Sequence, residues 1–213
     1  MPRTLTTPEF IKALVALAAG LKAGERHIVA IAGPPASGKS TLAESAVEAV
    51  NQEEPGRAAL LPMDGYHFDD EVLIPRGHRP RKGAPHTFDV GGYRSALTRL
   101  IAGEADVAVP RFDREIEIAR AGAIIIGADV RLVVTEGNWL LLNEPPWQDL
   151  KPLFGTTVLV KVDEDELARR LRHRWEMLGL TPAQVDTKLN DNDLPNGRRV
   201  MSNAQTPDII VVP

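Results

Sequence analysis

HIVAIAGPPASGKST, residues 27–41, decides the reading of this chain. His27 to Ala32 is an apolar run of strand length without polar alternation, the pattern of a strand buried on both faces. Gly33-Pro34-Pro35-Ala36-Ser37-Gly38-Lys39-Ser40 then fits G-x-x-x-x-G-K-[ST], with Thr41 after it. Gly33 and Gly38 let backbone N–H groups turn inward around an anion, where a Cβ would obstruct the nest. Lys39 supplies a point charge to β- and γ-phosphates, and the Ser40 hydroxyl suits Mg²⁺. A helix expected over Lys39–Asn51 aims its positive N-terminus at the same place. The loop implies Mg²⁺ and ATP, with phosphate contacts from Gly33, Pro34, Ala36, Ser37, Gly38, Lys39, Ser40 and Thr41.

Outward from this loop, apolar runs alternate with helix-like stretches. Strands are expected at Ala58–Met63, Asp106–Val109, Arg131–Thr135, Thr157–Val162 and Asp208–Val212, and helices at Arg94–Ala102 and Glu164–Leu178. Ile116–Ile118 and Ala123–Ile126 are candidates for a hairpin or edge ribbon. Phe10–Leu21 reads as an amphipathic helix, capped by Thr6 or Thr7, with Pro8 and Glu9 in its first turn. Strand–helix alternation of this kind implies an α/β fold of three layers around a mainly parallel sheet. No linker or repeat divides residues 1–213, so one domain is expected, with 1–24 as an N-terminal helical segment.

The 213 residues include 43% hydrophobic and 25% charged side chains, enough for a substantial core. There is no cysteine, which excludes disulfides, zinc–thiolate sites and thiol chemistry and fits a reducing cytoplasm. The net charge of −4 argues against a nucleic-acid partner. No apolar run reaches the roughly 20 residues that span a bilayer, so no membrane partner is expected. A homodimer is left open.

The loop alone does not choose among kinases, switches, transport ATPases and helicases. No Asn-Lys dipeptide supplies the guanine-reading N-K-x-D, and no L-S-G-G-Q occurs. Met63-Asp64-Gly65-Tyr66-His67-Phe68-Asp69-Asp70 places a carboxylate at a strand's C-terminal end, where ligands of open α/β sheets bind. A kinase needs such a group at the acceptor hydroxyl. Asp-Gly is also a common turn pair, and that is the competing reading.

Together the phosphate loop, MDGYHFDD (63–70), RGHRPRKGAPHTFD (76–89), PRFDRE (110–115), TEGNWLLL (135–142) and NDLPNGRRV (192–200) resemble one P-loop kinase superfamily. It contains uridine kinase, phosphoribulokinase and bacterial pantothenate kinase. The closest resemblance is to bacterial nucleoside-kinase-like proteins named as fructose transport system kinases, and it runs from about residue 26 onward. It implies a P-loop NTPase fold of the nucleotide-kinase type and an ATP-dependent phosphotransfer to a hydroxyl of a small molecule. Asp64 would be the acceptor-side base. Tyr66, His67, Arg76, Lys82 and Asp113 would line the acceptor pocket, and Glu136 would sit near Mg²⁺. A carboxylate beside the phosphate loop can hold a hard cation through oxygen; a helix cap or buried ion pair is the alternative.

Two basic stretches remain. Arg76, Arg79, Arg81 and Lys82 lie among Gly and Pro, in a loop that is either solvated surface or acceptor-side. A pocket this cationic would suit a phosphorylated or carboxylated acceptor. Arg169, Arg170, Arg172, His173 and Arg174 fall in a candidate lid at about 164–190, where Arg170 and Arg174 share a helix face. Arginines on such a lid neutralise a phosphoryl group in flight, and these two are the catalytic candidates beside Lys39 and Asp64. The rival from another class is a nucleotide-binding regulator with little turnover.

Overall fold

The computed structural model describes residues 1–213. Its strands are β1 (Arg3–Thr6), β2 (His27–Ala32), β3 (Ala58–Pro62), β4 (Val107–Asp113), β5 (Ile118–Ile126), β6 (Leu132–Gly137), β7 (Thr156–Val160) and β8 (Ile209–Val212). Its helices are α1 (Thr7–Gly20), α2 (Lys39–Glu53), α3 (Asp70–Leu73), α4 (Val90–Ile101), α5 (Glu164–Met177), α6 (Pro182–Lys188) and α7 (Leu194–Ser202). Six strands form one parallel sheet in the order β1-β8-β7-β2-β6-β3, and β4 and β5 form a separate antiparallel pair.

Alternation along β2 divides the core. Ile28, Ala30 and Ala32 pack with Tyr93, Leu97 and Leu100 of α4, whereas Val29 and Ile31 face Phe10 and Leu14 of α1 and Ala43 and Ala46 of α2. The two layers cover both faces of the sheet, as a parallel sheet requires. A third, small cluster of Leu171, Val185 and Leu189 joins α5 to α6. Trp139 and Trp147 are core residues, and their indole N–H groups donate to the Gly83 and Pro85 carbonyls. No helix is long and apolar enough to cross a membrane.

Local chemistry explains the element ends. Thr6 and Glu9 form a capping box on α1. The Arg57 guanidinium donates to the Ala18 and Leu21 carbonyls at its other end. Arg26 does the same work elsewhere, donating to the carbonyls of Val130, Leu100 and Gly127.

Two expectations change. Ile116–Ile118 and Ala123–Ile126 do not pair with each other. Ile118–Ile126 is one strand, and its partner is β4, which runs on through Pro110 to Asp113. The register shifts between Val109 and Arg111, at a proline with no N–H to offer and opposite Gly122 at φ +65°. Strand β1 was not expected at all: it is a mostly exposed edge strand that pairs only with β8.

Candidate active site

Three neighbouring strands deliver the site. The pairing places Glu136 of β6 beside Ile31 of β2 and beside Pro62 of β3. The phosphate loop begins two residues beyond Ile31, and Asp64 stands two residues beyond Pro62. Loop, Glu136 and Asp64 therefore share the C-terminal edge of the sheet, Glu136 in the middle.

In the loop, Ala36 (φ +61°) and Gly38 (φ +88°) take left-handed conformations that fold the backbone into a cradle. A Cβ on Gly33 would stand 2.7 Å from Ser37 Oγ, so the first glycine is required by packing. Gly65 serves the second wall: a Cβ there would collide with the Pro110 carbonyl, so glycine lets the MDGY turn pass directly against β4. The Asp-Gly pair is a turn, as the bland reading held, and the turn is what carries Asp64 to the cleft.

The cleft measures 740 Å³. Lys39, Ser40, Thr41, Asp64, His67, Lys82, Arg114 and Arg174 line it. Burial pushes the Lys39 ammonium down, while Glu136 and Asp64 pull it back up. Glu136 is 6% exposed; burial raises its carboxyl, partly offset by Lys39 and the Ser40 hydroxyl. Burial also pushes the Asp64 carboxyl up, but His67, Arg114 and Lys39 together hold it below the usual range. Arg114 Nη2 donates to Asp64 Oδ2 at 2.5 Å. His67 Nδ1 lies 2.8 Å from the Asp64 carbonyl, which only accepts, so Nδ1 carries a proton. The His67 ring packs on Phe88 and Phe112.

The expected acceptor residues separate. His67 and Lys82 line the cleft. Lys82 Nζ donates to Asp70 Oδ1 at 2.8 Å and to the Glu117 carbonyl at 2.9 Å. Tyr66, Arg76 and Asp113 do not line it. Tyr66 is buried edge-on against Tyr93, and burial pushes its phenol up to about 12. Arg76 is exposed and lies over the Phe68 ring. Asp113 is turned to Arg120 at 3.0 Å. Strand alternation explains the last case: Phe112 and Arg114 face the cleft, so the residue between them faces away. Arg114 is thus the cleft residue of PRFDRE, and the period-2 pattern was the signal for it.

The lid arginines separate too. Arg170 is held by Glu166 at 2.7 Å and reaches toward the Ala36 and Ser37 carbonyls, behind the loop and outside the cleft. Arg169 shares Glu166, and Arg172 pairs with Asp186. Arg174 makes no ion pair; its guanidinium rests 5.3 Å from the Trp175 ring centroid and lines the cleft. Arg79 of the basic loop and Asn138 and Asn196 of the motifs that carry the resemblance also line it, together with Trp175.

The residues fit a metal–nucleotide complex. The Asn138 Oδ1 is buried without a hydrogen-bond partner beside the cleft. Ser40 and Glu136, which hydrogen-bond to each other beside the cleft, are oxygen donors of the kind a hard cation takes. No group of three His, Asp or Glu forms a complete metal cage, so phosphate oxygens would have to complete such a set.

An anion cradle on a parallel sheet, facing a carboxylate and an unpaired arginine, defines a phosphoryl-transfer site of the P-loop kinase class. The comparisons agree. A Schizosaccharomyces pombe protein named "Putative uridine kinase C227.14" is 34% identical over 200 residues, covering 90% of this chain and 85% of its own. A Silicibacter sp. TM1040 structure described as a "putative fructose transport system kinase" superposes with TM-score 0.84 at 37% identity, over 92% of this chain and 98% of that one. Pantothenate kinase of Shouchella clausii is 29% identical over 164 residues, 74% of this chain and 52% of that longer protein. No family model matches the chain. The chain belongs to the family of P-loop kinases represented by these uridine kinase-like and kinase relatives of 34% and 37% identity.

Proposed function

We propose that the protein is an ATP-dependent phosphotransferase that phosphorylates a hydroxyl of a small metabolite bearing a carboxylate or phosphate. The observation that carries this is the convergence in one cleft of the phosphate loop's Lys39 and the Arg114-bound carboxylate of Asp64. Lys39 and the loop N–H groups would bind the β- and γ-phosphates, and Ser40 and Glu136 would hold Mg²⁺, which would supply charge neutralisation there. Asp64 accepts the acceptor's proton as its oxygen attacks the γ-phosphorus and the bond from that phosphorus to the β–γ bridging oxygen breaks, leaving ADP. Arg174, with five unspent N–H donors, meets the equatorial oxygens of the transferring group. A 410 Å³ cavity lined by Val162, Leu167, Leu171 and Met201 beside Pro35 suits the nucleobase.

The charge lining the cleft supports an anionic acceptor. Lys39, Arg79, Lys82, Arg114, Arg174 and Lys188 line the cleft against the carboxylates of Asp64, Glu117 and Asp193, with Asp70 shared by Arg79 and Lys82, so positive charge is in excess there. A neutral sugar such as fructose, named for the Silicibacter protein, leaves that charge unmatched; a sugar acid, a sugar phosphate or pantothenate meets it. Nucleosides are the second acceptor class, supported by the aromatic wall of His67, Phe88 and Phe112.

The test is ATP consumption with Mg²⁺ against sugars, sugar acids, sugar phosphates, nucleosides, pantothenate and polyols, with Asp64→Asn and Lys39→Ala alongside. Stimulation by one acceptor class, lost in both variants, supports the kinase. Tight ATP binding without acceptor-stimulated turnover, unchanged in Asp64→Asn, points to the regulator instead.

A further inference from the structure

The base-sized cavity and the phosphate cleft meet at one side chain. Asp193 and Pro35 line both, and Asp193 is the only titratable residue to do so. Asp193 is 7% exposed and ends a single π-helical turn, Leu189–Asp193. Inserted turns of that kind change the direction in which the next residues point, and they recur at functional sites. Here the turn feeds directly into α7, whose Leu194, Gly197 and Met201 line the cavity.

On the cleft side Asp193 has one strong partner. Trp175 Nε1–H donates to its Oδ2 at 2.7 Å. A buried carboxylate keeps such a bond because its loss leaves an unpaired charge. The indole so held offers its ring to two cations, the Arg174 guanidinium at 5.3 Å and the Lys188 ammonium at 5.4 Å. Arg174 has no carboxylate partner, so this ring is what defines its position over the cleft.

We propose that Asp193 is a positioning residue that couples the two cavities: it fixes the Trp175 indole, the indole fixes Arg174, and a base filling the apolar cavity thereby sets the arginine for the phosphates. The inference rests on the reading of the cleft as an ATP site. A base packed against the Asp193–Leu194 segment orders the turn, and with it Trp175 and Arg174, before the phosphates need them. Binding of the base and of the phosphates is then positively linked, and the linkage is reciprocal.

The test separates ATP into its two halves. Tripolyphosphate with Mg²⁺ is titrated by calorimetry with and without saturating adenosine, on the full chain. In the wild type, adenosine is expected to tighten tripolyphosphate binding by about fivefold or more. Trp175→Phe keeps an aromatic face and removes only the N–H donor. It is expected to bind adenosine as before and to lose the coupling. Asp193→Ala and Arg174→Ala are expected to lose it as well, and Trp175→Phe is expected to add nothing in the Arg174→Ala background. A merely structural role for Asp193 would weaken both ligands and leave their ratio intact. Undiminished coupling in Trp175→Phe, or two ligands that bind the wild type independently, would overturn the proposal. If the wild type bound neither probe, the ATP reading beneath it would fail first.

Discussion

Replacing Arg114 by alanine tests how the site sets the protonation of its carboxylate. Arg114 Nη2 touches Asp64 Oδ2 at 2.5 Å, with side-chain exposures of 57% and 23%. Two unit charges about 4 Å apart interact by about 4 kcal/mol at an effective dielectric of ~20. The guanidinium is more than half exposed, so solvent and salt reduce this to about 1 kcal/mol. Burial pushes the Asp64 carboxyl up while His67, Arg114 and Lys39 pull it down; removing one of the three moves the balance upward. The sign for stability follows. The folded value lies below the unfolded one, so the ionised carboxylate stabilises the fold at neutral pH, and that contribution is lost as pH falls through the folded value. In Arg114→Ala that contribution is smaller, and its loss is complete at a higher pH. The assay is the ¹³C titration of the Asp64 carboxyl by NMR in both proteins, which needs no acceptor. An unchanged or lowered value in Arg114→Ala would refute the argument that this contact tunes the base.

Asp64→Asn is expected to abolish acceptor-stimulated turnover while ATP affinity, measured by calorimetry, stays within about twofold, because the carboxylate faces the acceptor. Arg174→Ala is expected to lower kcat by about 10²-fold, and Arg170→Ala by less than about tenfold, since the first is unspent in the cleft and the second is paired with Glu166. Steady-state kinetics on the acceptor found by screening ranks them, and the reverse order would reassign the two arginines. Arg26→Ala removes donors from three loop and helix-end carbonyls and is expected to cost about 3 kcal/mol in urea unfolding. Gly65→Ala drives a Cβ into the Pro110 carbonyl, which is backbone and cannot step aside. A loss of about 2 kcal/mol or more, with the Asp64–Arg114 pair broken, is the expected result.

The sheet was legible where strands are buried on both faces. β2, β6 and β7 lie inside it and read as near-continuous apolar runs. β1 was invisible because an edge strand needs no such run: RTLT is exposed at three of four positions and exists through its ladder to β8. The β4–β5 pair was misread because the Gly122 bulge looks like a turn in one dimension, while the partner that makes it a bulge lies elsewhere in the chain.

The amino-acid sequence by itself determined the phosphate loop, the parallel sheet and the carboxylate after β3. These depend on backbone freedom at a few residues and on local periodicity, which are properties of neighbours in the chain. Only the tertiary structure decided which charges face the cleft. Asp113 and Arg114 are adjacent; Arg170 and Arg174 share a helix face. Strand alternation, a competing glutamate one turn away and an indole held by a distant aspartate separate them, because a side chain's charge is spent on whatever partner the fold brings within about 3 Å.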